Sequence, residues 1–200
     1  MRQGRIASRR AGTDTAILEA IREFPPCPVL DVGCGEGWLA RSLSSDGYEV
    51  TGIDASGSLI ADARKGGGGS FLELSYEDLA RFPSLLDRKF GLIVANFSLL
   101  SENILPLLET LRSRLTEGGA VIIQTLHPFS LGPNVRYEAG WRIETFAQVG
   151  NGFVARMPYY FRTFSNWIEQ LSAARMSIVH CREPLDPETG RPLSLLIVAR

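Results

Sequence analysis

A short apolar run that passes directly into alternating glycines constrains this chain more than any other feature. Residues 29–32 read Val-Leu-Asp-Val, and residues 33–37 read Gly-Cys-Gly-Glu-Gly. Glycines at alternate positions let the backbone turn sharply and let a ligand approach it closely. In open α/β sheets, ligands bind at the carboxyl ends of the strands, beside such turns. The segment therefore predicts a strand, a ligand-binding turn and a helix that begins near Trp38.

The pattern of strand followed by helix continues along the chain. Apolar runs predict strands at residues 29–32, 49–53, 71–74, 90–95 and 120–126. Helical spacing and capping residues predict one helix before the first strand and one after each of the first, second and fourth strands, the last of them capped by Asn103 and ended by Gly118-Gly119. The last third adds a helix and two strands, at 164–174, 176–181 and 194–199. This order predicts an α/β fold: a doubly wound, Rossmann-like sheet of seven mostly parallel strands with helices on both faces.

Length and composition set further limits. The 200 residues suit a single domain, in which residues from about 127 to 162, rich in glycine, proline and aromatic side chains, are predicted to form a cap over the site. The formal net charge of −1 argues against a general nucleic-acid binder. No apolar run approaches the ~20 residues that span a bilayer. We interpret the arginine-rich residues 1–10 as a frayed arm.

Cysteine and histidine usage argues against a metal centre. The three cysteines, at positions 27, 34 and 181, are not clustered, and the chain has two histidines. Such a set predicts neither a disulfide framework nor a metal site. We therefore expect a cytoplasmic protein with reduced thiols, either a monomer or a homodimer.

The glycine turn and two acidic residues indicate which ligand binds. The spacing is G-x-G-x-G, whereas the usual dinucleotide turn is G-x-G-x-x-G. Asp31, two residues before the first glycine, would repel a phosphate but suits an ammonium group. Asp54, at the end of the second strand, can accept hydrogen bonds from ribose hydroxyls. A ligand with an ammonium group, a ribose and no phosphate matches S-adenosylmethionine (SAM) better than NAD.

These features resemble class I SAM-dependent methyltransferases, in particular those that act on small molecules. The D-x-G-x-G-x-G turn is similar to the family's first motif, and residues 90–96 are similar to its fourth-strand motif. Residues 115–119 resemble the L-x-P-G-G turn before the fifth strand, with Glu117 in place of proline. The resemblance covers residues 13–127 well, and the last third shares the general plan of a cap and two more strands. It implies an enzyme that transfers the methyl group of SAM to oxygen, nitrogen or carbon of a small acceptor and releases S-adenosylhomocysteine (SAH).

The resemblance also implies a set of cofactor-binding residues. Asp31 and the glycine turn should hold the methionine part of SAM, Asp54 should bind the ribose diol, and Leu59 should pack on the adenine. Ser75 and Tyr76 stand where many members have an Asp-Ala pair beside the adenine, so Ser75 departs from the family's acid. The complete predicted set is Asp31, Gly33, Cys34, Gly35, Gly37, Asp54, Ala55, Leu59, Ser75, Tyr76 and Asn96.

Candidate residues for the acceptor lie after the fifth strand and in the cap. His127 is predicted at the carboxyl edge of the sheet and is a candidate general base or acceptor ligand, because histidine titrates near neutral pH. Its alternative role is to bond the cap and shape the pocket. Tyr159 and Arg162 resemble a Y-x-R arrangement near the acceptor of some small-molecule members. Arg162 would pair with a carboxylate or phosphate of the acceptor, or else form a salt bridge to Glu144 or Glu183.

Two other functions are compatible with the same motifs. One is methylation of RNA, DNA or protein, although residues 96–99 read Asn-Phe-Ser-Leu where enzymes that methylate base amino groups often have an N-P-P-Y-like motif. The other is a non-catalytic SAM-binding module, with which the intact glycine turn and Asp54 are also consistent. A salt-dependent nucleic-acid binding test and a methyl-transfer assay separate these functions from a small-molecule enzyme.

Overall fold

The computed structural model describes residues 12–131, 135–144, 157–187 and 189–200. The arginine-rich arm and the middle of the predicted cap lie outside the described residues. The helices are α1 (Asp14–Arg22), α2 (Trp38–Ser44), α3 (Gly57–Gly66), α4 (Tyr76–Arg81), α5 (Leu105–Ser113) and α6 (Phe164–Ala173). The strands are β1 (Pro28–Val32), β2 (Glu49–Asp54), β3 (Ser70–Glu73), β4 (Phe90–Asn96), β5 (Leu115–Leu126), β6 (Gly140–Glu144), β7 (Met157–Phe161), β8 (Ile178–Arg182) and β9 (Ser194–Ala199).

Seven of the described strands form one sheet in the order β3-β2-β1-β4-β5-β9-β8. β9 is antiparallel to both of its neighbours, and the other neighbouring pairs are parallel. The predicted doubly wound, seven-stranded and mostly parallel sheet is therefore confirmed. The strand order reverses between β1 and β4, so a crevice at their carboxyl ends is the expected ligand site of such a sheet.

Two apolar layers hold the helices against the sheet. One layer joins α1, α2 and α3 to one face, and the other joins α4, α5 and α6 to the opposite face. Successive residues of β4 alternate between the layers: Leu92 belongs to the first and Ile93 to the second. Both side chains are fully buried, as the apolar run at 90–95 predicted. Each such side chain contributes about 1.5–3 kcal/mol through burial.

The start of α5 differs from the prediction. The helix begins at Leu105, and Ile104 occupies the N-cap position without a side-chain hydrogen bond, so the expected cap at Asn103 is wrong. A capping side chain accepts from the second or third helical N–H. Pro106 stands in this first turn and has no N–H to donate, which removes one of those donors.

The glycines at 118 and 119 also lie in a different element from the one expected. The helix ends at Ser113, and strand pairing begins at Leu115, which is opposite Phe90. The register shifts before Leu92 pairs with Ala120. Gly118 has a φ of +73°, which suits an irregular strand segment of this kind. The glycine pair therefore belongs to an interruption in β5.

The cap contains a feature that the sequence pattern did not reveal. β6 and β7 form an antiparallel two-stranded hairpin, separate from the main sheet. Tyr160 of β7 donates its backbone N–H to the carbonyl of Leu100, 2.8 Å away, in the loop that follows β4. The hairpin is thus joined to the carboxyl edge of the sheet, where the ligand crevice is expected.

Candidate functional site

The glycine turn, residues 33–37, is fixed to the end of β2. The backbone N–H groups of Gly33 and Cys34 both donate to the carbonyl of Ile53, at 2.8 and 3.0 Å. Gly37 has a φ of +76° and occupies the N-cap position of α2. A Cβ atom on Gly37 would lie 2.8 Å from the ring of Phe71, so both conformation and space require glycine. The turn is therefore rigidly placed against its neighbours.

Gly35, in the middle of the turn, faces open space. Its φ is +56°, and a Cβ atom there would meet nothing within 4 Å. The Gly35 N–H donates to Oδ2 of Asp54 at 3.0 Å, and the Ser56 N–H donates to Oδ1 at 2.8 Å. A carboxylate has about four lone-pair sites, so Asp54 can still accept from a diol. Ala55, beyond it, is exposed, and Leu59 is half-buried in the first turn of α3.

The Asp31 carboxylate is buried beside this turn without a compensating donor. Asp31 is 2% exposed, and its Oδ2 has no hydrogen-bond partner among the described residues. Burial, with the nearby Asp54 carboxylate, raises the pKa of Asp31 to about 7. Asp31 pairs with Val94 across the strands, so Asn96, two residues further, lies on the same face. The Asn96 Oδ1 is also buried without a partner among the described residues.

Two unpartnered acceptors on one face need a donor, because a buried polar group that is not hydrogen-bonded destabilises the protein. A cationic group with several N–H donors could hydrogen-bond to both acceptor oxygens, and its positive charge would favour the charged form of Asp31. The geometry thus suits an ammonium group beside Asp31, with hydroxyls near Asp54.

The opposite wall of the crevice comes from residues after β3 and β4. Ser98 donates from Oγ to the carbonyl of Val32, and Tyr76 donates from its hydroxyl to the carbonyl of Ser98 at 3.3 Å. A Cβ atom on Gly33 would lie 2.4 Å from Cβ of Ser98 and 2.5 Å from the Tyr76 hydroxyl. Burial raises the pKa of Tyr76, so its hydroxyl stays protonated. Sequence reasoning missed Ser98, because no local signal marks a contact with a residue so distant in the chain.

Two other predicted cofactor residues are used by the fold itself. Ser75 caps α4, accepting the N–H of Asp78 at 3.0 Å and donating to the Asp78 carboxylate at 2.7 Å. Cys34 is buried beneath the turn, where a Cβ atom on Gly52 would lie 2.8 Å from its Sγ. Burial raises the pKa of Cys34 to about 12, so this thiol is not a nucleophile at neutral pH.

His127 lies just after β5, buried, with both ring nitrogens engaged. Nδ1 accepts the backbone N–H of Phe129 at 3.0 Å, so in the neutral ring Nε2 carries the hydrogen. Nε2 is 2.7 Å from Oε1 of Glu183, which follows β8. This tautomer presents no lone pair to an acceptor, and the geometry favours a histidine that braces the edge of the sheet. Its role as a general base stays a prediction.

Arg162 is 3% exposed and donates to backbone carbonyls. Its Nη1 and Nη2 atoms donate to the carbonyls of residues 99, 101 and 102. The salt bridge to Glu183 that the sequence left open is not formed, since Glu183 contacts His127. The side chain of Glu144, the other acid considered, lies outside the described residues. Tyr159 is half-buried in β7, opposite Arg142 of β6.

Two cavities are lined mainly by residues outside the glycine turn. One, of about 450 Å³, is lined by α1 and by residues that follow β8, and the other, of about 400 Å³, lies between α4 and α5 with Tyr76 in its wall. In the part of the chain that the structure describes, no group of His, Cys, Asp and Glu side chains could hold a metal ion. None of the helices among those residues is long and apolar enough to cross a membrane.

Comparison with known sequences shows what this arrangement is similar to. Residues 29–119, a little under half of the chain, match a sequence family described as a methyltransferase domain, and the match contains the glycine turn, Asp54 and Asn96. The residues of the site fit SAM on structural grounds, because Oδ2 of Asp31 lacks a donor, Gly35 faces open space and Asp54 retains acceptor capacity.

Solved structures show the same fold. A SAM-dependent methyltransferase from Mesorhizobium loti superposes with a TM-score of 0.71 at 22% identity, covering 93% of this chain and 96% of that chain. At this level of identity the similarity concerns the fold.

Two curated relatives extend the comparison. The malonyl-[acyl-carrier protein] O-methyltransferase of Enterobacter lignolyticus is 30% identical over 129 residues, 64% of this chain and 49% of the relative. The demethylmenaquinone methyltransferase of Beutenbergia cavernae is 27% identical over 169 residues, 80% of this chain and 68% of the relative. The chain spans about half the length of the first of these, and less of some others that it matches.

Proposed function

We propose that the chain is a class I SAM-dependent methyltransferase that transfers the methyl group of SAM to a small-molecule acceptor. The observation that carries the proposal is the buried Asp31 carboxylate, which has no partner among the described residues and stands beside a glycine turn that faces open space. A dinucleotide would bring phosphates to that place, and a carboxylate would repel them. An amino-acid ammonium group supplies the missing donors and the opposite charge.

Each residue at the crevice has a distinct task in this proposal. Asp31, with Asn96 beside it, holds the ammonium group, and Asp54 accepts from the ribose hydroxyls while it keeps the Gly35 N–H in place. Leu59 packs on the adenine. When bound, SAM supplies an electrophilic methyl group, so the protein's own contribution is binding and orientation. Such orientation can lower the barrier by ~7–11 kcal/mol.

The acceptor would approach from the edge formed by the loop after β4, the hairpin β6–β7 and the residue that follows β5. His127 and Glu183 are the titratable pair at that edge, 2.7 Å apart. If the acceptor keeps its proton at neutral pH, the Glu183 carboxylate could take it directly, whereas His127 could take it only by giving up one of its two hydrogen bonds. The two curated relatives are named for action on a carrier-bound malonyl group and on a quinone, and we take a small organic acceptor on that basis.

A methyl-transfer assay tests the proposal. The purified protein would be incubated with SAM and pooled small metabolites, and SAH release would be measured, with RNA and unfolded protein as parallel acceptors and Asp31→Asn as the inactive control. Release of SAH with a metabolite pool supports the proposal. Release with RNA or protein alone would refute the small-molecule assignment, and SAM binding without release in any arm would identify a non-catalytic module.

A further inference from the structure

The strongest unassigned feature is the way Arg162 is held. Its guanidinium group lies between two aromatic rings, 5.1 Å from the ring centroid of Tyr160 and 5.3 Å from that of Trp167. Nη1 donates to the carbonyl of Leu99 at 3.2 Å, and Nη2 donates to the carbonyls of Ser101 and Glu102, the latter at 2.7 Å. A planar group with donors on two nitrogens is needed to reach three carbonyls of one loop.

These carbonyls belong to the post-β4 loop, which we define as residues 97–102. Burial lowers the pKa of Arg162 to about 10, and the group remains charged at neutral pH. Three of its N–H groups already meet loop carbonyls, so an acceptor carboxylate would have to displace the loop to pair with it fully. The guanidinium is thus arranged to shape the loop.

The same loop forms the wall of the cofactor crevice. Ser98 bonds to the carbonyl of Val32, next to the glycine turn, and its own carbonyl accepts from Tyr76. Phe97, at the base of the loop, has a φ of +52°, a conformation that non-glycine residues adopt only when the surroundings hold them there. A loop in this state depends on external contacts, and Arg162 provides three of them, more than any other cap residue that the structure describes.

The hairpin β6–β7 adds two contacts to the loop. The Tyr160 N–H donates to the carbonyl of Leu100, and Nε1 of Trp141 donates to Oε2 of Glu102 at 3.1 Å. Arg162 follows β7 directly, so it contacts the same loop from the same side as the hairpin.

We propose that Arg162 is a positioning residue that clamps the post-β4 loop against the cofactor crevice. The proposal rests on the SAM-binding function given above. Cofactor binding should therefore depend on the contacts that Arg162 makes with the loop.

Arg142 offers a matched control. It is also a cap arginine, its guanidinium lies 5.0 Å from the ring centroid of Phe161, and it donates to two backbone carbonyls, those of Arg136 and Glu138, both at 3.0 Å. Those carbonyls belong to the cap and not to the post-β4 loop. The variants Arg162→Met and Arg142→Met therefore remove similar contacts from different partners.

The test combines two measurements on the full chain. Calorimetric titration with SAH gives the cofactor affinity, and amide hydrogen exchange gives the protection of residues 97–102. We expect Arg162→Met to weaken SAH binding about tenfold and to speed exchange in the loop, while Arg142→Met changes neither. Arg162→Lys, which keeps the charge but not the planar fork, should fall between wild type and Arg162→Met.

Each outcome decides one question. Equal SAH affinity and loop exchange in wild type and Arg162→Met would overturn the clamp, and so would equal losses in both methionine variants. If Arg162→Met does not fold, Arg162→Lys carries the comparison, and wild-type values in that variant would likewise overturn it. If the wild type itself binds no SAH, the proposed function fails, while the exchange measurement still tests whether Arg162 holds the loop.

Discussion

The Asp31 carboxylate provides the sharpest prediction, because the residue that should bind the cofactor also destabilises the ligand-free protein. Its pKa is about 7 in the folded state, against an ordinary value of 3.8 that we assign to the unfolded chain. Between these pH values the folded protein retains a proton that the unfolded chain has lost. Stability from this group is therefore present at low pH and is lost as the pH rises towards 7. The asparagine in Asp31→Asn cannot titrate, so this variant does not lose stability through that group as the pH rises.

The magnitude follows from the two pKa values. Linkage predicts that the wild type loses about 3 kcal/mol of unfolding free energy between pH 5 and pH 8 that the asparagine variant keeps. This is a large effect against the 5–15 kcal/mol that is typical of whole domains. SAM should bind more weakly to Asp31→Asn than to the wild type, since the variant lacks the negative charge that pairs with the ammonium group.

Urea unfolding of both proteins at pH 5 and pH 8, without ligand, measures the effect. The gap in unfolding free energy between Asp31→Asn and wild type should widen by about 3 kcal/mol at the higher pH. Asp62→Asn serves as the control for the same replacement at the surface, because the Asp62 side chain is 62% exposed. A gap for Asp31→Asn that stays constant, or narrows as the pH rises, would refute the reasoning.

Three further predictions concern the crevice. Gly35→Ala and Gly118→Ala both place a side chain at positive φ with open space around it, so each variant should lose about 1–2 kcal/mol of unfolding free energy, measured in urea. Only Gly35→Ala should weaken SAM binding in calorimetry. Equal SAM affinities of the two variants would mean that Gly35 does not face the cofactor. Asp54→Ala should weaken SAM binding strongly while the far-ultraviolet circular dichroism is retained, and unchanged affinity would count against the cofactor assignment. His127→Ala should lower steady-state turnover more than SAM affinity, and unaffected turnover would eliminate the proposed base.

The sequence predicts the central strands of the sheet well, because they are buried on both faces and read as apolar runs. β4 is an example: its last five residues, from Leu92 to Asn96, include four that are fully buried. It predicts α4 poorly, since that helix buries one side chain, Leu79, and shows no periodicity. A usable signal was present in Ser75 and Asp78, three residues apart, which is the spacing of a helix cap.

The candidate site, like the fold, has one part that the sequence predicts and one part that it does not. The glycine turn and Asp54 are local features, and the structure brings them together at one edge of the sheet as their motifs imply. Asp31 could be recognised as an acid near that turn, but its burial without a donor could not be known without its neighbours. The contacts of Ser98 and Arg162 join residues more than 60 positions apart, and no local pattern encodes them.

Calorimetric titration of the purified protein with SAM, and separately with NAD, tests the central claim most directly. The account predicts saturable binding of SAM and no binding of NAD, because a carboxylate stands where a dinucleotide would bring phosphate. Binding of NAD, or the absence of SAM binding, would contradict the assignment of the crevice and with it the proposed methyl transfer.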